Sequence, residues 1–88
     1  MVIDKLKAAA ARAGVSTNVL SNVSGFSRST FSYWFRTKES ERRQPRPYRL
    51  AYLHKLTAAI NAAHKAGDLP AEPKEAVKAI KRWMNAVE

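Results

Sequence analysis

No cysteine occurs in this chain; glycine appears three times, acidic side chains seven times, and no apolar run is long. Without cysteine there is neither a disulfide nor a thiolate metal site to stiffen a small fold, so stability must come from packing or from a partner chain. The same absence fits a reducing compartment. No stretch approaches the run of roughly 18 apolar residues that a membrane-spanning helix needs. The opening "MVIDKLKAAAARAG" breaks its apolar residues with Asp4, Lys5, Lys7 and Arg12, unlike the continuous apolar centre of a signal peptide. The expectation is a soluble, cytoplasmic protein.

Catalytic groupings are equally scarce. The two histidines, His54 and His64, lie ten residues apart on one expected helix and have no acidic cluster beside them. Their directions differ by about 80° at 3.6 residues per turn. A zinc site or a general base would lack its other members. The serines have no His–Asp company that would make one of them a nucleophile, and glycine-rich phosphate loops are absent. The sequence therefore predicts no enzymatic activity, no cofactor, no metal and no small-molecule ligand.

What is present in excess is positive charge. Sixteen lysines and arginines against seven acids leave a formal net charge of +9 on 88 residues. That balance implies an anionic partner, of which nucleic acid is the commonest. A chain of this length forms one domain and buries only about 60–65% of the surface its unfolded form exposes.

The elements read as all-α, with five helices and no strand. Val2, Ile3, Leu6, Ala9, Ala10 and Ala13 share one face over 2–13, and Gly14 ends that helix. Ser16 is the N-cap of the next, with Val15 before it and Leu20 after it placed as a hydrophobic staple, and Gly25 closes it. Phe26, Ser27 and Phe31 repeat the same device for a helix over 27–36. Residues 37–47, "TKESERRQPRP", are a basic loop ended by a Pro-x-Pro step. A helix over 48–66 points Leu50, Leu53, Leu56 and Ile60 inward and stops at Gly67. After a linker, Pro73 and Glu75 open a last helix over 73–87 whose apolar stripe is Ala76, Val77, Ile80, Trp83, Met84 and Val87.

The stretch "SNVSGFSRSTFSYWF", 21–35, gathers a bare turn, a polar face and a bulky apolar face. On a helix over 27–36, Ser27, Phe31 and Trp34 fall on one side with Phe35 at its border. Arg28, Ser29, Ser32, Tyr33 and Arg36 occupy an arc of about 140° on the other. That slim, donor-rich face suits a major groove about 12 Å wide, and its arginines suit guanine O6 and N7. Thr17 and Asn18, at the start of the preceding helix, suit a phosphate. Lys38, Arg42, Arg43, Arg46 and Arg49 surround the loop and suit a backbone or a minor groove. Ser27, which opens the candidate reading helix, completes the DNA-contacting set. Trp34 is expected in the core. Val77, Ile80, Trp83, Met84 and Val87 are expected at a homodimer interface, where tryptophan is a common anchor, although a roof over the monomer's own core is the alternative.

The same stretch resembles the helix-turn-helix of the Cro and phage-repressor family, whose common form is a small residue, glycine, an apolar residue, "SRST", an apolar residue, serine and tryptophan. The resemblance covers about twenty residues, 17–36. Ser21 stands where that family usually has alanine, and Phe26 and Phe31 replace smaller aliphatics. A narrower resemblance links "RQPRPY" and the helix after it to small phage regulators encoded beside anti-CRISPR genes. Together they imply a helix-turn-helix three-helix core followed by two further helices. They also imply a phage or mobile-element repressor in a bacterial cytoplasm, dimeric on an inverted-repeat operator of its own or a neighbouring promoter. The competing readings are an architectural or recombination-directionality DNA-binding protein, an RNA-binding adaptor, and a protein–protein module.

Overall fold

A computed structural model describes residues 2–37 and 46–86 of the chain. Within them run five helices: α1 Val2–Ala13, α2 Thr17–Ser24, α3 Arg28–Arg36, α4 Pro47–Lys65 and α5 Pro73–Ala86. No strand occurs among the described residues, and no helix there is long and apolar enough to cross a membrane. Lys38, Arg42, Arg43 and Val87 lie outside the described residues.

Local chemistry sets the helix ends. Ser16 Oγ accepts from the Val19 N–H, and Ser27 Oγ accepts from the Thr30 N–H. Each cap satisfies a first-turn donor that the helix ladder cannot. The two staples form as well. Phe26 and Phe31 stand 6.1 Å apart between ring centroids, and Val15 packs against the core that holds Leu20. Between the two helices, Gly25 adopts φ +83° and donates its N–H to Ser21 O, the left-handed ending that glycine accepts most readily. Ser21 Oγ then donates to Phe26 O at 2.6 Å, clamping the turn. Pro47 begins α4 one residue before the expected Tyr48, and Pro73 begins α5, both at first-turn positions where a missing N–H costs nothing.

α4 is the spine. It packs against α1 on one side and α5 on another, so its buried residues Leu53, Leu56, Thr57, Ala59, Ile60 and Ala63 spread around the helix rather than forming one stripe. The buried Thr57 hydroxyl donates to Leu53 O at 2.8 Å, which satisfies the one donor that side chain carries. α2 packs against both α3 and α5, while α1 also touches α3. The two C-terminal helices are thus members of the core around the helix-turn-helix rather than additions to it. Lys7 Nζ donates to Phe35 O at 2.9 Å, tying α1 to the carbonyl end of α3 with the charge sign a helix C-terminus favours.

The position of α5 corrects part of the expected dimer stripe. Ile80 is wholly buried and Met84 nearly so, covered by the molecule's own helices. A side chain that its own chain has already removed from water has no area left to give a second copy. Val77 is half-buried. Trp83 is half-buried too, and its Nε1–H donates to Asp68 Oδ2 at 2.8 Å. The last helix roofs the monomer's core.

Candidate nucleic-acid interface

The back of α3 is held by rings. Phe31 is fully buried and Trp34 nearly so. They meet edge-on at 5.6 Å, and Phe26 stands edge-on to both Trp34 and Tyr52 of α4. Such pairs add about 0.5–1.5 kcal/mol each beyond their burial. Tyr52 Oη also donates to Val23 O at 3.3 Å, joining α4 to the end of α2, and burial pushes its phenol pKa up. The helix is therefore fixed in rotation: whichever face the rings do not hold must look outward.

That outward face borders a cleft of about 330 Å³ lined by Thr17 of α2 and by Arg28, Ser29, Ser32 and Arg36 of α3. All five were candidates from the sequence, and among the described residues no carboxylate lines the cleft. Arg28, Ser29 and Arg36 are exposed. Arg28 has no partner among the described residues, so its guanidinium fork is available. Arg36 donates from Nε to Ser32 O at 3.3 Å, which lays its stem along the helix. Eight residues separate the two arginines, about 12 Å of helix axis.

The remaining candidates divide. Asn18 is exposed on the first turn of α2, and Tyr33 is 41% exposed on α3, but neither lines the cleft. Ser27, read as part of the contacting set and of the apolar side, is an exposed cap whose hydroxyl is engaged by the Thr30 N–H and by Thr30 Oγ1 at 2.8 Å. Its work is structural. Arg46 is exposed at the N-cap position of α4, where its carbonyl receives the Arg49 and Leu50 N–H groups. Arg49 departs from its expected place in the basic loop set. It is half-buried, with its guanidinium 5.1 Å from the centre of the Phe26 ring and 5.9 Å from that of Tyr48. Cation–π stacking of this kind holds the charge against the turn instead of presenting it to solvent.

Reasoning from the sequence missed Lys7, Arg49 and Tyr52 as the props of α3. Each acts across a long sequence separation that periodicity does not report. It also missed a row of lysines on α5 at 74, 78 and 81, although their spacing of four and three residues was a visible sign of one helix face. Among the described residues no group of histidines and carboxylates could hold a metal ion, and both histidines are exposed on α4. No family model, no curated protein and no solved structure matches the chain.

Proposed function

We propose that the protein is a sequence-specific double-stranded-DNA-binding regulator of transcription, a repressor that covers its own or a neighbouring promoter in a bacterial cytoplasm. The observation that carries this reading is the polar cleft at the α2–α3 corner, with Arg28 and Arg36 flanking two serines on a helix whose opposite face is locked by Phe31 and Trp34. α3 enters the major groove, where Arg28 pairs with a guanine. The first turn of α2 at Thr17 meets a phosphate, and Arg46 with the basic segment before it adds backbone contacts.

Two copies read an inverted-repeat operator in this account. The molecule's longest dimension is 35 Å, about one turn of duplex, and it presents a single α3. One copy therefore reaches one major-groove half-site. Their contact does not run through Ile80 or Met84, which the monomer already covers.

The test is selection of bound duplexes from a random pool, followed by binding of the Arg28→Ala variant to the selected sequence and to random duplex. A palindromic consensus is expected. The variant loses about 1–3 kcal/mol of discrimination, roughly a 5- to 150-fold drop in preference, while binding to random duplex changes little. An unenriched pool, or full preference without Arg28, contradicts the reading.

A further inference from the structure

A second basic surface lies one helix away from α3. Where α2 meets α5, a hollow of about 430 Å³ is lined by Asn22, Pro73, Lys74, Val77, Lys78 and Lys81. A neighbouring hollow of about 350 Å³ shares Lys81 and reaches Lys55 on α4. Among the described residues the two hollows together carry four lysines and no carboxylate. Lys74, Lys81 and Lys55 have no ion-pair partner among the described residues. Lys78 has only the solvent-exposed Glu75 at 3.5 Å, an attraction of the kind that surface water and salt largely cancel. The acidic Asp68 lies elsewhere, already engaged by Arg82 and Trp83.

We propose that this lysine shelf is a second DNA-contacting surface, which grips the phosphate backbone of the same duplex beside the groove that α3 enters. The inference rests on the DNA-binding reading and extends its footprint. α2 packs against both α3 and α5, and no Cα of α3 comes within 8 Å of one in α5. Packed helices stand about 8–10 Å apart, so α5 lies up to about 20 Å from the α3 axis. A major groove is only about 12 Å wide. With α3 in the groove, α5 stands past the groove's edge, and in this proposal its lysine face lies over the flanking sugar–phosphate strand.

The residue type agrees with that position. Lysine presents a point charge on a long stem, suited to a phosphate and poorly suited to the two-donor reading of a base. Pro73 and Val77 line the larger hollow beside the lysines, and apolar surface of this kind is where lysine stems lie while their ammonium groups stay in water. Lys74, Lys78 and Lys81 extend over about 10 Å of helix axis, enough to follow two or three successive phosphates.

The experiment measures duplex affinity of the full chain against salt concentration for the wild type, the triple variant Lys74→Gln, Lys78→Gln and Lys81→Gln, the corresponding triple arginine variant, and Arg28→Ala. Each lost phosphate contact lowers the magnitude of the log–log slope by about 0.9. The glutamine triple is expected to flatten the slope by about 2 to 3 with sequence preference unchanged, and the arginine triple to restore it. An unchanged slope in the glutamine triple, while Arg28→Ala still loses preference, overturns the shelf and leaves the α3 reading standing. Poly-glutamate binding that disappears in the glutamine triple while the duplex slope stays put assigns the surface to an acidic protein and overturns the proposal. A wild type with no salt-steep duplex binding overturns the shelf together with the reading it rests on.

Discussion

Gly25 shows how a single position carries the helix-turn-helix. Its φ of +83° lies in the region that a Cβ disfavours, yet a Cβ built there meets no atom within 4 Å. Any penalty for adding a side chain is therefore backbone strain alone, of the order of 1–2 kcal/mol. Gly25→Ala is expected to lower unfolding stability by about that amount in denaturant titration, a large share of what a domain this small possesses. No loss at all would mean that the turn relaxes to another conformation. The caps and staples around this glycine were legible in the sequence because they act within five residues of one another, where spacing is the whole of the geometry. The role of Arg49 was not legible. Its stacking on Phe26 joins positions far apart in the chain, and charge alone assigned it to the solvent.

At the scale of elements, α5 separates what periodicity can tell from what it cannot. The apolar stripe of Ala76, Val77, Ile80, Trp83 and Met84 was plain, but a stripe states only that something covers it. The covering elements are α2 and α4 of the same chain. The N-terminal approach to α5 is fastened by Asp68, which accepts from the Trp83 indole and pairs with Arg82 at 3.3 Å. The indole hydrogen bond first, and the Arg82 guanidinium second, hold the Asp68 carboxyl below the usual aspartate range. A carboxyl lowered in the folded state contributes stability above its unfolded value, and that contribution disappears as pH falls through the folded value. Thermal melts should therefore show Asp68→Asn less stable than wild type at neutral pH, with the gap closing in acid below the ordinary aspartate range. A gap of constant size across that range would remove the charged latch from the account.

Over the whole molecule, charge and topology combine. The net charge of +9 was visible from composition, but its division into an arginine-flanked cleft at α3 and a lysine shelf at α5 was not. That division depends on α2 standing between those helices. The all-helical class and the five helices were readable because each has helix-spaced apolar residues and recognisable ends. The order in which they pack was hidden, since α1 leans on α4 and α2 leans on α5 across long sequence separations. The most direct measurement of the central claim is mapping of backbone amide shifts while a selected duplex is added to the labelled protein. The account predicts that the largest changes fall at Thr17, Asn18 and residues 28–36, with a second set at Lys74, Lys78 and Lys81. Changes confined to the exposed Tyr48 end of α4 or to the Asp68–Trp83 side, with α3 unmoved, would contradict it.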